Sequence, residues 1–422
     1  MSLVRRDVVV VGGGPAGLTA AAAILDASDG HHKDRVVVLE KARYPRDKYC
    51  AGALGGRGDK ILERLGIRPD VPSVPIDGMS VRVVSGERAM RVSGIGRVVR
   101  RIELDCAMAA LARKRGVEII EDAKVESIDV GRDGAELETS QGRIEARIVV
   151  GCDGVGSVVR KAAGIGLGKL RAQVLELDTE EVAGDRERGI IHFDASDRTL
   201  PGYTWDFPTV VGGEPLVCRG IYHLKVGGES IENRGAQRSD SRRSRSGAWG
   251  AEPPISIDLG EKLGERMATM GLDITKYKHK RFAERGVEMA ETFAKGPLML
   301  AGEAAGIDPI TGEGIAQAIE YGAMVGPHVA LALAGDVPVD AWTHRVRHSR
   351  LGRDLRIRER LVRELYGARR PELERIIVRD EFLRAGALHF GALPMDWRAA
   401  SVAIARLAMY FTRGALGVPI SA

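Results

Sequence analysis

The sequence predicts an α/β fold in which a parallel sheet, opened by a βαβ unit, is interleaved with an antiparallel sheet and followed by a helical C-terminal region. Three observations carry this. The first forty residues read strand, glycine-rich turn, helix, strand. Segments with a different, alternating pattern then interrupt that scheme, which returns near residue 150 and again near 300. From Trp342 onward the pattern is mostly helical and rich in arginine.

The opening unit is the most regular part. Asp7 to Val11 (DVVVV) is a run of β-branched residues, the mark of a strand covered on both faces. Leu18 to Leu25 is alanine-rich and helix-forming, and Arg35 to Leu39 is a second buried strand ending at Glu40. Between them, Gly12-Gly13-Gly14-Pro15-Ala16-Gly17 fits GxGxxG, here closing a strand and opening a helix. In that context the motif is a dinucleotide fingerprint. Gly12 permits the tight turn, Gly14 lets a pyrophosphate approach the backbone, and Gly17 lets helix and strand close together. The helix start at Pro15 and Ala16 offers free N–H groups to phosphate. Glu40, with Lys41 beside it, is placed to accept hydrogen bonds from ribose hydroxyls.

Beyond this unit, Ser80 to Val99 alternates and turns over often, as antiparallel strands do. Leu104 to Arg115 reads as helix, and Val117 to Val130 and Ala135 to Val150 as strands. Residues 170–226 read as further strands, and 227–252 (with SDSRRSRSG) as a mobile polar loop. Pro297 to Leu300 is a short strand and Ile315 to Ala334 a helix. The expected organisation is therefore discontinuous. Residues 1–78, 100–165 and 285–340 form the nucleotide-binding domain, 79–99 and 166–284 the substrate domain, and 341–422 the C-terminal helical region.

Composition narrows the classes of function. The chain has 422 residues, 44% hydrophobic and 29% charged, with a net charge of +5. That excess is mild for the length, and with 5% aromatic residues it does not indicate nucleic acid. Cys50, Cys106, Cys152 and Cys218 are widely spaced, which argues against a zinc site or a disulfide framework. His31-His32 has no third ligand for a metal. The N-terminus has no apolar signal region, and no uncharged apolar run spans a membrane, so the chain reads as cytoplasmic. The segment Arg345 to Arg379 fits a solvated helical face or a peripheral contact with an anionic membrane; its mixed-sign charge favours the former.

Three later segments resemble the cofactor motifs of flavin-dependent hydroxylases and their relatives, which share a glutathione-reductase-like FAD-binding domain. Cys152 to Arg160, holding Asp153, Gly154 and Ser157, resembles DGxxSxxR. Leu300 to Gly306, with Gly302 and Glu303, resembles GDAAG, whose acid binds the flavin ribitol. Glu303 stands where that motif has Asp. Arg101, with Leu104-Asp105 after it, resembles the RxxLD helix start that touches the cofactor. The resemblance implies FAD as the bound cofactor. It also implies that the turn before Ile315, with Gly312 and Gly314, faces the flavin pyrimidine edge, where the helix dipole favours negative charge. A simple helix-start turn is the bland alternative.

Within that superfamily the chain resembles the geranylgeranyl reductases. Tyr44 to Gly52 (YPRDKYCAG) resembles FPRDKxCGG, Pro201 to Pro208 (PGYTWDFP) resembles YxWxFP, and Pro309 to Ile315 matches PxxGEGI. The family implies a role for Cys50 near the flavin, as proton donor to an alkene carbon; a small buried packing residue is the alternative. Tyr203, Trp205 and Phe207 alternate on one strand and so share a face, which the family uses to wall a substrate cavity and which also suits a packed core. Implied partners are an apolar substrate and NAD(P)H or a protein electron donor. The expected reaction is hydride transfer from reduced flavin to a carbon–carbon double bond. A monooxygenase or halogenase, and an electron-transfer flavoprotein serving quinones, remain open.

Overall fold

The computed structural model describes residues 4–28, 35–226, 257–367 and 369–415. The polar stretch expected as a loop (227–252) and His31-His32 lie outside the described residues.

Two sheets organise the chain. In the first, the strands Leu298–Leu300, Gly142–Gly151, Val4–Val11, Val36–Leu39 and Glu118–Ile120 lie side by side in that order, all parallel. Val8, Val9 and Val10 are fully buried, so both faces of this strand are covered and the run DVVVV carries no polar alternation. The strands Val125–Val130 and Ala135–Thr139 extend this sheet as an antiparallel meander from Gly142–Gly151.

The first helix, Pro15–Ala27, packs against the long helix Ile315–Ala334 along a seam of small residues. A Cβ at Gly322 would stand 2.5 Å from the Ala16 carbonyl oxygen and 2.7 Å from the Thr19 Cβ; one at Gly326 would run into the Ala23 carbonyl. Contact positions rise together along both helices, so the two run in the same direction and present their N-termini at one edge of the sheet. Gly302 (φ +62°) joins this edge, where a Cβ would meet that of Ala16 at 2.8 Å.

The second sheet runs in the order Lys280–Arg285, Leu170–Thr179, Glu214–Val226, Gly202–Val211, Ile190–Asp194, Ser73–Val83, Gly86–Val99, Ala53–Gly55. Two expectations need correction. The sheet is mixed, since Ile190–Asp194 pairs parallel with Ser73–Val83. A parallel neighbour needs a crossover, and the excursion of residues 100–165 into the first sheet supplies it. The sheet also begins at Ala53, earlier than the expected residue 79. Pro75 and a register shift between Ile76 and Gly78 interrupt the alternation that would reveal the strand earlier.

Helices Trp342–His348, Arg350–Leu365, Arg370–Ile377, Asp380–Phe390 and Trp397–Ala415 close the chain. Several arginines expected on a solvated face are instead tied into the protein: Arg347 donates to the carbonyls of Met289, Ala290 and Glu291, and Arg370 holds Glu374. No helix among the described residues is long and apolar enough to cross a membrane.

The small-residue seam gives a direct test. Gly326→Ala should cost about 1–3 kcal/mol in thermal or denaturant unfolding, because the new methyl meets rigid backbone. Gly386→Ala, in the helix Asp380–Phe390 with open space where its Cβ would stand, should be neutral or stabilising by up to about 1 kcal/mol.

Candidate active site

The glycine turn is built by close approach. Gly12 (φ +104°) lies against the Cys152 carbonyl, and Gly17 packs on the Gly12 carbonyl with no room for a Cβ. The helix that begins at Pro15 has no side-chain cap at Gly14, so its first N–H groups face the cleft unpartnered by side chains. Glu40 is nearly fully buried; its Oε2 accepts the Gly13 N–H (3.0 Å) and its Oε1 the Ala42 N–H (3.1 Å). Lys41, beside it, is exposed.

A chain of charges runs along this turn. Arg46 donates to Glu40 Oε2 (2.9 Å), to the Gly13 carbonyl (3.1 Å) and to Asp105 Oδ2 (2.8 Å). Arg101 grips the same buried Asp105 through Nε and Nη2 at 2.7 and 2.6 Å. The Arg101 guanidinium comes within 3.6 Å of where a Gly14 Cβ would stand. The Tyr44 hydroxyl donates to the Gly13 carbonyl. Arg46 and Asp105 were not singled out from the sequence, although both sit inside the YPRDKYC and RxxLD segments.

On the far side of the turn, Asp153 Oδ2 accepts the Val158 N–H (2.7 Å) and caps the short helix Val158–Ala162, while its buried Oδ1 has no hydrogen-bond partner. Next to it, Glu303 pairs with Lys48 Nζ at 2.7 Å and approaches the Gly154 turn, where a Cβ would meet its Oε2 at 3.5 Å. Glu in place of the motif's Asp therefore still points into the cleft, with Lys48 as its counter-charge.

The turn before the long helix is held from behind. Asp308 accepts the N–H groups of Ile310 (2.8 Å) and Thr311 (3.2 Å), and Arg358 holds the same carboxylate at 2.6 Å. Glu313 is ion-paired with Arg57 at 2.7 Å, and Arg57 also lies 3.5 Å from Asp354. Gly312 takes φ +63°, and Gly314 begins the helix at Ile315 without a side-chain cap. This buried ion cluster, contributed partly by the C-terminal helix Arg350–Leu365, fixes the Gly312–Ile315 turn; none of its members was anticipated as a site residue.

In front of that turn stands the inner face of the second sheet. Directly opposite residues share a face, so register assigns it. Tyr203 pairs with Tyr222, Trp205 with Gly220, and Phe207 with Cys218. The Tyr203 hydroxyl donates to the Thr311 carbonyl (2.6 Å) and that of Tyr222 to the Pro309 carbonyl (3.1 Å). Their rings stack at 5.1 Å, Phe193 packs edge-on against Tyr203 and Phe207, and Trp205 lies across Gly220 in place of a side chain there. Tyr203, Trp205 and Phe207 thus share one face, as their spacing requires, and belong to a packed cluster.

The same face turns acidic toward its other edge. Glu176 aligns with Lys280 and Gly220, and Glu284 with Ala172. Glu176 is fully buried; its Oε1 accepts the Cys50 N–H (2.9 Å) and its Oε2 lies 3.8 Å from Cys218 Sγ. Burial pushes Glu176 up to about 7, against the pull of Lys280 and Arg100. Burial also raises the Cys50 thiol, opposed by Arg101. The tip of Glu284 reaches the Gly312 turn, where a Cβ would meet its Oε2 at 2.5 Å, and that oxygen is buried without a hydrogen-bond partner. Burial and the neighbouring carboxylates Glu303, Glu176 and Asp308 hold Glu284 well above the usual carboxyl range, with Lys48 opposing. Glu176 and Glu284 carry no local motif, and only the strand register brings them to Cys50 and Gly312.

These features fit an elongated ligand with an anionic middle. Two uncapped helix N-termini open on one cleft, the Asp153 Oδ1 is orphaned there, and Gly14 leaves space against the turn.

Comparison with known proteins agrees. Residues 5–187 match the family described as FAD binding domain. Digeranylgeranylglycerophospholipid reductase 1 of Methanopyrus kandleri is 28% identical over 340 residues, covering 78% of this chain and 82% of that protein. Menaquinone reductase of Mycolicibacterium smegmatis is 27% identical over 365 residues, covering 75% of each. A crystal structure described as a geranylgeranyl bacteriochlorophyll reductase-like protein from Thermoplasma acidophilum superposes with TM-score 0.69 at 21% identity, over 92% of this chain and 96% of that one.

The Glu176 environment sets a pH dependence. The folded state holds this proton more tightly than the unfolded chain does. Its contribution is therefore complete below the unfolded carboxyl value of about 4.3 and is lost as pH rises to about 7. Between those limits the loss amounts to about 4 kcal/mol. Glu176→Gln, which keeps an acceptor for the Cys50 N–H, should flatten the decline in unfolding free energy across that window.

Proposed function

We propose, from the premise that this chain is an FAD-dependent oxidoreductase of the geranylgeranyl-reductase-like family, that it reduces a carbon–carbon double bond of an apolar, isoprenoid-like substrate. The observation that carries this is the aromatic face that begins at the Gly312–Ile315 turn: Tyr203 and Tyr222 are hydrogen-bonded to the turn, and Trp205, Phe207 and Phe193 continue from them. Such a wall offers an alkene a dry, wide surface with few groups for a polar substrate to pair with. The names of the two curated relatives, one a prenyl-lipid reductase and one a menaquinone reductase, support the same class of substrate.

In this reading Gly12, Gly14, Pro15, Ala16 and Gly17 hold the FAD diphosphate on the helix N-terminus. Glu40, flanked by Lys41, takes the adenosine ribose, and Arg101 borders the diphosphate. Asp153, Gly154, Gly302 and Glu303 take the ribityl chain, and Gly312, Gly314 and Ile315 the ring edge. Bound FAD supplies the hydride, replenished by NAD(P)H or a protein donor. Cys50 keeps its proton at neutral pH because burial disfavours the thiolate, so it acts as an acid toward the second alkene carbon. Glu176 anchors the Cys50 backbone and so sets where that thiol points.

The reaction is tested with reduced holoenzyme under anaerobic conditions and a geranylgeranyl substrate. The flavin absorbance should return as a product reduced at one double bond forms. Cys50→Ser should retain FAD and slow that reoxidation by about a hundredfold, the weight of a lost general acid. Absence of reoxidation by any prenyl alkene, or turnover that requires oxygen, overturns the reading.

A further inference from the structure

The terminal helix Trp397–Ala415 is amphipathic in an unusual sense, because its outward face is apolar. Half of the large apolar side chains exposed among the described residues lie on it: Trp397 (76% exposed), Ile404 (64%), Met409, Val402 and Phe411. The rest, such as Val4 and Val130, are scattered singly. Trp397, Ile404, Ala408 and Phe411 follow the seven-, four- and three-residue steps of one helix stripe. Arg398, Arg406 and Arg413 recur eight and seven residues apart on the other side of the helix, about 100–180° round from Trp397, where they alternate with the exposed Val402 and Met409; Arg398 is exposed and the other two are half-buried. The helix carries no acidic residue, and none of these arginines is paired with a carboxylate among the described residues.

We propose that this helix is a docking surface for an anionic lipid bilayer. An outward face with an apolar stripe along one edge and unpaired arginines among Val402 and Met409 along the other matches the interfacial chemistry of acyl chains below anionic headgroups, and Trp397 at its start suits the headgroup boundary. A protein partner would offer carboxylates in fixed places; long unpaired arginine side chains alternating with Val402 and Met409, opposite an apolar stripe on the same outward face, suit a fluid, evenly charged surface better. The arginine-rich segment Arg345–Arg379 is a poorer surface, because Arg347, Arg358, Arg369 and Arg370 are bound within the protein.

The helix's inner face gives the docking a purpose. Tyr410 and Leu407 pack with Leu361, Leu365, Leu373 and Ile376, and Ile310 and Tyr366 join that cluster to the aromatic cluster of Tyr203 and Trp205. Phe390 and Leu393, just before the helix, also belong to the aromatic cluster. A bilayer on the outer face would thus stand one helix away from the apolar wall beside the Gly312 turn. The docking itself is independent of the reaction proposed above.

The test uses flotation of the full-length holoenzyme with phosphatidylcholine vesicles, with and without phosphatidylglycerol. Binding should appear with the anionic vesicles, accompanied by a blue shift in tryptophan emission that Trp397→Phe abolishes. Ile404→Glu should weaken binding by about tenfold or more, and Arg398→Gln with Arg413→Gln by about thirtyfold, the weight of two basic residues near the surface. Of the four positions, Trp397, Arg398 and Ile404 are exposed and Arg413 is half-buried in the last turns of the helix, so flavin absorbance and melting temperature should stay unchanged. Equal flotation of Ile404→Glu and the parent, equal binding to neutral vesicles, or no binding at all overturns the proposal. It is also overturned by a dimer in light scattering that Ile404→Glu dissociates while vesicles leave the parent unbound; a second copy would then be the occupant.

Discussion

Everything at the cleft depends on the backbone-to-backbone approach of two helices, Pro15–Ala27 and Ile315–Ala334. Gly322 and Gly326 let the second helix lie on the carbonyls of Ala16 and Ala23. Larger residues would set the axes further apart and shift their ends against each other. Because the helices run in the same direction, their unsatisfied N–H groups converge on one side of the parallel sheet. Two ends of an elongated cofactor can then be bound by the same physical device, although the glycine turns are some three hundred residues apart in sequence.

Holding the second N-terminus in place uses charge rather than packing. Arg57 and Arg358 are deeply placed cations facing Glu313, Asp308 and Asp354, and they come from helices on opposite sides of the turn. Removing one member of such a cluster leaves another charge buried and unpaired, at a cost of about 3–5 kcal/mol. The C-terminal helices are thereby made part of the site, because Arg358 reaches both Asp308 and Glu313 of the glycine turn. The second sheet supplies the opposite wall, and its inner face is divided. One side is aromatic and packed; the other carries Glu176, Glu284 and Lys280 around the Cys50 loop. Burial makes the acids of that second side hold their protons more tightly than exposed carboxyls do.

How much of this is legible in the sequence follows from the range of each interaction. The glycine turn, Glu40, the Arg101–Asp105 helix start and the Gly302–Glu303 turn are local patterns, readable from a few neighbouring residues, and the fold brings them close to one another. Tyr203, Trp205 and Phe207 are readable for the same reason, since period two puts them on one face. Arg46, Lys48, Glu176, Glu284, Arg57 and Arg358 are different. Each is one charged residue among many; Arg46 has a near partner in Glu40, but its second partner, Asp105, and the partners of the others come from distant stretches of chain. The start of the second sheet is hidden by Pro75 and the irregularity at Ile76–Gly78, and its single parallel pairing by the intervening excursion into the first sheet. The terminal helix reads as helical from its pattern, but which of its faces meets the protein is decided by Tyr410 and Leu407 finding a cluster, not by its own periodicity.

That excursion has a consequence for biogenesis. The hairpin of Ser73–Val83 and Gly86–Val99 emerges from the ribosome well before its neighbour Ile190–Asp194. Until then one edge of the hairpin has no partner strand, and such edges recruit whatever strand is near. The parallel sheet, too, lacks its Leu298–Leu300 strand until late in synthesis. The chain therefore cannot complete its domains one after the other; both must wait for the C-terminal third. Its folding is dominated by contacts distant in sequence, which makes it slow, and the vulnerable interval falls while the chain is still being made.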